Sequence, residues 1–217
     1  MAIKKRPVSP RQKMINLMYV VLMAMLALNV STEVLNGFSI VEESLNRTTN
    51  NSSKENQALY SDFEAQMKSN PEKVKAWFDK AREVRRMSDS LYNFADELKI
   101  AIVKEADGKN GDVHNIVSKE DLEASTQVML APGRGQGKQL FNSINSFRER
   151  ILKMISDEGQ KAIIRSNLST QIPKKAHALG KNWQEYLFEN MPVAAAVTLL
   201  SKLQSDVRYA EGEVLHT

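Results

Sequence analysis

The sequence predicts an all-α protein, with a single N-terminal transmembrane helix followed by a bundle of about four main helices. Three observations support this prediction. Leu, Met, Ala, Lys and Glu are abundant while Gly and Pro are sparse, which favours helix over sheet. Apolar residues recur every three or four positions through most of the chain. Near the N-terminus, nineteen residues from Met14 to Thr32 carry no formal charge.

Charge is distributed unevenly along the 217 residues. The first thirteen residues contain five cations and no acid, namely Lys4, Lys5, Arg6, Arg11 and Lys13. Of 30 basic and 26 acidic residues, 30 − 5 = 25 basic and all 26 acidic ones therefore lie in 33–217, a net charge of −1. Nucleic-acid binding normally needs a basic patch on the folded domain, so we expect no nucleic-acid partner.

The uncharged run is predicted to be an uncleaved membrane anchor. At about 1.5 Å per residue it spans roughly 28 Å, close to the hydrocarbon thickness of roughly 30 Å. A secretory signal would have a shorter apolar region and a small-x-small cleavage site, which neither Ala24 nor Ala27 provides. A cleaved signal peptide and a buried helix of a soluble protein remain the alternatives.

The charges that flank the run predict its orientation. Cations precede it, and the acidic residues Glu33, Glu42 and Glu43 follow it. The positive-inside rule puts the N-terminus in the cytoplasm of a bacterium and the rest in the periplasm. We therefore divide the chain into a cytoplasmic basic tail (1–9), a transmembrane helix (10–33), a helix leaving the membrane (34–68) and a periplasmic bundle domain (69–217) that packs with 34–68.

The transmembrane helix is predicted to begin at Pro10, with Ser9 as its N-cap. Arg11 and Lys13 then lie in the first turn, where cations oppose the helix dipole. Membrane topology and contact with lipid phosphates explain Lys13. For Arg11 two explanations stay open: the same one, or an ion pair with a carboxylate of another membrane protein.

Further along the helix, polar and small side chains suggest that other helices pack against it. Asn16 and Tyr19 share a semi-polar stripe, and Ala24 and Ala27 share a stripe of small residues that permits close helix approach. A position near the membrane interface is the alternative explanation for Asn16 and Tyr19.

Two stretches resemble a known family. SPRQKMINLMYVVLMAMLALNVSTEVLNGF (9–38) closely resembles the N-terminus of the GldM/PorM family, and FENMPVAAAVTLLSKLQSDVRYAEGEVL (188–215) resembles the end of that family's first periplasmic domain. Members are single-span inner-membrane motor subunits of the type IX secretion and gliding system. The resemblance implies a homodimer of the membrane helix inside a ring of a GldL/PorL-type membrane protein, driven by the proton-motive force. It also implies that Arg11 faces a glutamate of that ring, and that β-rich domains beyond Thr217 reach the outer-membrane components.

Beyond the anchor, apolar residues from Val34 to Met67 recur at helical spacing. The polar stretch RTTNNSSKENQ (47–57) interrupts them. Because Leu45 and Leu59 are two heptads apart, the apolar phase is kept, which favours a continuous helix over a flexible linker. The next helix is predicted to begin at Pro71, capped by Ser69 or Asn70, and to end near Ala106.

The second half of the chain contains shorter predicted elements. Ser118 and Asp121 suggest a capping box that opens a short helix, SKEDLEASTQVML (118–130). A loop at 131–137, one helix over 140–163, a short helix in NWQEYLFEN (182–190) and a last helix opened by Pro192 follow. With Trp77 and Trp183 as buried core residues, these elements predict an up-down bundle.

No motif for catalysis or metal binding is found in the sequence. PGRGQGKQ (132–139) has Pro132 and Gln139 where a phosphate-binding loop needs Gly and Ser or Thr. The three histidines, His114, His177 and His216, lack metal or catalytic spacing and are expected at the surface. We therefore expect no enzyme activity, no cofactor and no metal. The predicted function is a motor subunit, and the alternative is a membrane-anchored helical-bundle sensor or scaffold.

Overall fold

The computed structural model describes residues 8–28 and 30–217, with side chains described outside 23–28. The regular elements of this part are all helices and it has no strand, which confirms the all-α prediction. Its nine helices are α1 (Pro10–Leu28), α2 (Thr32–Ser69), α3 (Pro71–Asp107), α4 (Ala124–Leu130), α5 (Gly137–Met154), α6 (Glu158–Asn167), α7 (Lys174–Ala178), α8 (Trp183–Phe188) and α9 (Val193–Leu215).

Helix α1 begins where the sequence predicts. The Ser9 hydroxyl accepts a hydrogen bond from the Gln12 amide at 3.3 Å, and Pro10 is the first helical residue. A second helix begins at Thr32, because Ser31 caps it by accepting from the Val34 amide at 3.2 Å. Most of the predicted basic tail falls on residues 1–7, which lie outside the described residues. Within the described part, no helix has both the length and the apolar character needed to cross a membrane.

Helix α2 is continuous over 38 residues, including the polar stretch at 47–57. This confirms the predicted continuous helix and rules out the alternative of a flexible linker. Side chains in this stretch bond to helical backbone: the Thr49 hydroxyl donates to the Leu45 carbonyl at 2.8 Å. Asn56 is buried against α9. Residues that favour turns in isolation are therefore held in a helix by tertiary contacts.

Four main helices, α2, α3, α5 and α9, form the bundle, and α3 runs antiparallel to both α2 and α5. The plain up-down alternation is wrong at α9, which runs parallel to α2. Phe38 pairs with Thr198 at one end, and Tyr60 pairs with Glu211 at the other. The reason is the segment 155–192, which contains α6, α7 and α8. It carries the chain from the end of α5 back to the other end of the bundle, where α9 begins beside the start of α2.

The core is centred on α9, which buries fourteen of its 23 residues. Its apolar stripe packs on α2, α3 and α5. The largest apolar side chains with less than 2% exposure include Phe188, Ile102, Met129, Leu140, Ile151 and Leu200. Each such side chain contributes about 1.5–3 kcal/mol by its burial, so this core stabilises the bundle.

The short helix α4 begins at Ala124, six residues after the predicted start at Ser118. Its N-cap residue, Glu123, makes no side-chain cap bond, and the Asp121 carboxylate accepts from the backbone amides of Glu123 and Ala124 at 2.9 and 2.8 Å. The preceding backbone has another partner: the carbonyl groups of Lys119 and Asp121 accept from the first amides of α9. Residues 118–123 therefore form turns that hold the start of α9.

The single helix predicted over 140–163 is wrong, because the chain breaks between α5 and α6. Ile155 has an extended backbone and is buried, with 3% exposure. Asp157 then caps α6 by accepting from the Gln160 amide at 2.7 Å. Burial of one apolar side chain and a new cap together end the first helix and start the second.

The two tryptophans differ. Trp183 is buried as predicted, at the start of α8, where its ring lies 5.8 Å from Phe141 and 6.1 Å from Phe188. The prediction for Trp77 is wrong: it is 50% exposed on α3, and the Lys80 ammonium lies 5.3 Å from its ring. Both predicted starts at proline, Pro71 and Pro192, are confirmed.

Candidate functional site

The predicted site residues on α1 lie apart from the bundle core. Arg11, Asn16 and Tyr19 are all exposed, as is every side chain over 8–22. The Gln12 side-chain amide donates to the Asn16 side-chain oxygen at 3.1 Å, so the polar residues of the first turns contact one another. The side chains of Ala24 and Ala27 lie outside the described residues. The described face of α1 is therefore an exposed apolar surface with polar groups near its start.

The structure also contains a buried polar seam between α2, α3 and α9, which the sequence analysis missed. Its first part, here called the Lys99 cluster, consists of Glu42, Asp96, Lys99, Ser201 and Gln204. The Lys99 ammonium lies 3.7 Å from a Glu42 carboxylate oxygen and donates to the Gln204 side-chain oxygen at 3.0 Å. Ser201 donates to the same Glu42 oxygen at 2.9 Å. The Gln204 amide donates to Asp96 at 3.3 Å.

Lys99 is a buried cation, with 4% exposure. Burial lowers its pKa, and the carboxylates of Glu42 and Asp96 oppose that change by favouring the charged form. The ammonium therefore depends on a carboxylate that another helix supplies. Removing that carboxylate would leave the ammonium with only the neutral Gln204 as a direct partner inside the bundle, which is unfavourable.

The second part of the seam, here called the Glu211 cluster, consists of Asn56, Tyr60, Asp89, Arg208 and Glu211. The Tyr60 hydroxyl donates to Glu211 at 2.6 Å, and Arg208 donates to Glu211 at 2.8 Å and to Asp89 at 2.9 Å. The Asn56 amide donates to the Arg208 carbonyl at 3.0 Å. Glu211, with 1% exposure, thus joins α2 to α9.

Charge and burial have opposite effects on the titrating groups of this cluster. Burial, together with the negative charge of Glu211, raises the pKa of Tyr60, so its hydroxyl stays protonated. Burial opposes the charge of Arg208, but Glu211 and Asp89 outweigh it and raise the pKa of the guanidinium. The cluster therefore contains a guanidinium that stays charged and a tyrosine hydroxyl that stays neutral.

One sequence signal could have revealed the seam. On α9 the spacing of three and four residues runs through Val197, Leu200, Gln204, Val207, Glu211 and Val214. Gln204 and Glu211 thus lie on the buried face of an otherwise apolar stripe. Polar residues at such positions need buried partners. Their partners on α2 and α3 could not be identified from the sequence alone.

The other features of the described residues show no catalytic arrangement. A groove of about 510 Å³ between α3 and α5 is lined by Phe94, Glu97, Gln139 and Arg150 among others. No group of three His, Cys, Asp or Glu side chains in the described part of the chain could hold a metal. His114, His177 and His216 are exposed, as expected.

The glycines of the loop before α5 have a structural role. A Cβ added to Gly135 or Gly137 would lie 2.7 or 2.8 Å from the Met129 carbonyl oxygen, closer than real contacts allow. Gly133 has φ of 77°, a conformation that glycine adopts readily. Tight backbone packing thus accounts for this stretch without a phosphate.

Comparison with known proteins identifies the family of the chain. The family described as GldM N-terminal domain matches residues 33–217, a range that contains α3 to α9 entirely and all but the first residue of α2. No curated protein matches the chain. The family functions in the gliding and type IX secretion machinery and associates with other components of that machinery. The matched range is most of the chain, so the protein belongs to the GldM family.

Proposed function

We propose that the protein is a proton-motive-force-coupled motor subunit of the type IX secretion and gliding machinery, with α1 in the inner membrane and the bundle in the periplasm. The observation that carries this proposal is the contrast along the chain. An exposed apolar helix, α1, is followed at Thr32 by a continuous helix of 38 residues that is bonded into the bundle. This arrangement suits a subunit that receives motion in the membrane and delivers it outside.

The proposed anchor rests on the sequence and on exposure. Met14 to Thr32 are uncharged, and five cations precede the first acid, Glu33. Met14, Leu17, Met18 and Val20 are each more than 60% exposed on α1. Apolar side chains in this number are unfavourable in water and favourable in lipid.

The proposed partners are those that the resemblance to the GldM/PorM family implies. Two copies of α1 pair as a homodimer inside a ring of a GldL/PorL-type protein, and Arg11 lies opposite a glutamate of that ring. Asn16, Tyr19, Ala24 and Ala27 pack against the neighbouring helices. Further domains connect the bundle to periplasmic and outer-membrane secretion components. This role requires no catalytic residue, cofactor or metal.

The test is substitution of Arg11 in the full-length protein. Arg11→Ala is expected to insert normally, since Lys4, Lys5, Arg6 and Lys13 still set the orientation, but to abolish most secretion. Arg11→Lys is expected to restore only part of it, because an ammonium lacks the planar donor fork of a guanidinium. Lys13→Ala, two residues away in the same turn, is the matched control and should secrete normally.

Secretion, abundance in the membrane fraction and co-purification with the ring protein are measured together. Normal secretion by Arg11→Ala at normal abundance would show that the arginine is only a topology charge. Normal secretion combined with loss of the ring protein from the purified complex would favour the alternative, a sensor or scaffold.

A further inference from the structure

Helix α2 buries few of its side chains completely. Only four of its 38 residues are buried: Leu35, Thr49, Asn56 and Tyr60. By contrast, α9 buries fourteen of 23 residues. The apolar contacts of α2 come mainly from Tyr60 and from the partly buried Leu59 and Phe63. Apolar contact is non-directional, so these contacts define the rotation of α2 about its axis less sharply than hydrogen bonds do.

Directional contacts supply what apolar packing lacks. Ser201 donates to Glu42 at 2.9 Å, Asn56 donates to the Arg208 carbonyl at 3.0 Å, and the Tyr60 hydroxyl donates to Glu211 at 2.6 Å. Hydrogen bonds depend steeply on distance and angle. These contacts are spread along the stretch where α2 and α9 lie side by side, so together they specify one register of α2 against α9.

The Lys99 cluster is the contact most sensitive to that register. A helix has about 3.6 residues per turn, so a rotational slip of α2 by half a turn would carry Glu42 to the far side of the helix, away from Lys99. The buried ammonium would keep Gln204 as its neutral partner and, beyond it, Asp96 on its own helix α3. A slip of α2 therefore leaves a buried cation without its interhelical anion, which is strongly unfavourable.

The position of the cluster suits the transfer of motion. Glu42 lies ten residues after Thr32, about 15 Å along α2 from the end nearest α1. Asn56 lies fourteen residues further on, about 21 Å away. A stiff helix held at two separated points can neither rotate nor slide independently of the bundle.

We propose that Glu42 and Lys99 are positioning residues that fix the rotational register of α2 against α3 and α9, so that motion of α1 is delivered to the bundle and not lost by slippage of α2. The proposal rests on the motor function proposed above. It assigns the Glu42–Lys99 ion pair a mechanical role in addition to any contribution to stability.

The first test measures register in the purified chain in lipid nanodiscs. The chain contains no cysteine, so spin labels can be placed at Ile40→Cys on α2 and Leu179→Cys on the bundle, both highly exposed positions. A narrow distribution of the distance between the labels is expected. Lys99→Met removes the buried cation while keeping an apolar side chain of similar length. Glu42 is partly exposed and keeps its hydrogen bonds from Asn46 and Ser201, so the bundle should still fold. The distance distribution should nevertheless broaden.

The second test measures secretion by the full-length chain. Lys99→Met and Glu42→Gln are expected to lose most secretion at normal abundance. Glu43→Gln, the same substitution at the exposed neighbouring position, is the matched control and should secrete normally. If Glu42→Gln fails to accumulate, Lys99→Met decides.

A disulfide provides the rescue. A Cβ added to Gly212 would lie 2.8 Å from the side-chain oxygen of Asn56 and 3.8 Å from its Cγ, so Asn56→Cys with Gly212→Cys places two thiols within bonding reach. In the Lys99→Met background this disulfide should narrow the distance distribution and restore secretion, and a reductant should reverse both effects.

Two results would overturn the proposal. A narrow distance distribution in Lys99→Met would show that the cluster does not fix the register. Normal secretion alongside a broadened distribution would show that the register is not needed. Failure of the motor function itself is seen separately, as normal secretion by Arg11→Ala combined with loss of the ring protein from the purified complex, and it leaves the distance measurement unaffected.

Discussion

Helices α1 and α9 are both apolar and of similar length, 19 and 23 residues, yet their surroundings are opposite. α9 buries fourteen residues, and each of its two polar residues on the buried stripe, Gln204 and Glu211, bonds to another helix. α1 exposes every side chain from Pro10 to Leu22. Apolar composition alone therefore does not define a core helix. The paired polar residues distinguish a helix whose partners lie in the same chain.

The largest expected effect comes from breaking the Glu211 cluster. Glu211→Ala leaves the buried Arg208 and the Tyr60 hydroxyl without their shared carboxylate, so the free energy of unfolding should fall by about 3–5 kcal/mol. Glu213→Ala, two residues on, is the matched control and should change it by about 0.5 kcal/mol or less. Chemical denaturation followed by circular dichroism measures both. Equal effects would show that Glu211 is no more important than a surface acid.

A matched pair of isoleucines tests the contrast between the two regions. Ile102 is fully buried in α3, and Ile15 is 50% exposed on α1. Ile102→Ala should lower the free energy of unfolding by about 2–5 kcal/mol through lost burial and a cavity. Ile15→Ala should leave the unfolding of the bundle unchanged, since that side chain contributes nothing to the core. A comparable loss in both variants would place α1 within the cooperative bundle and contradict the comparison.

A smaller effect is expected from alkaline pH. The unfolded chain ionises Tyr60 near its ordinary pKa of 10.0, whereas the folded pKa is raised by burial and by Glu211. The proton on Tyr60 therefore stabilises the fold fully below pH 10, and this contribution is lost progressively as pH rises further. Tyr60→Phe removes this dependence.

The comparison of wild type with Tyr60→Phe isolates this residue. Tyr92 has a raised pKa and Lys99 a lowered one, so they change stability in opposite directions, but both are present in each protein. Melting temperatures between pH 9 and 11 should therefore fall more steeply for wild type. Parallel curves would mean that Tyr60 ionises equally in both states.

Much of the fold could be predicted from the sequence because its helices carry local signals. Pro71 and Pro192 mark the starts of α3 and α9. The unbroken spacing of apolar residues between Leu45 and Leu59 indicates that α2 continues through its polar stretch. The break at Ile155 and the parallel course of α9 depend on tertiary contacts, so periodicity could not reveal them. Trp77 lies at apolar spacing but near the end of the α2–α3 hairpin, where little else covers it.

The candidate site divides in the same way. Arg11 is conspicuous in the sequence because a cation at the start of an apolar helix is unusual. Lys99 and Glu42 look like ordinary surface charges on amphipathic helices. Their pairing needs α2, α3 and α9 to meet at one point, and that meeting follows from the whole bundle and not from any one segment.

The central claim is that α1 lies in lipid while the bundle lies in water, and cysteine labelling tests it most directly. Leu17, Val20, Val117 and Leu179 are all more than 60% exposed, the first two on α1 and the others on the bundle. Each is changed to Cys in the otherwise cysteine-free chain and treated, in cells with a permeabilised outer membrane, with a maleimide that cannot cross the inner membrane. We predict that Val117→Cys and Leu179→Cys are labelled, and that Leu17→Cys and Val20→Cys are labelled only after detergent dissolves the bilayer. Labelling of Leu17→Cys and Val20→Cys as readily as Val117→Cys would contradict the account.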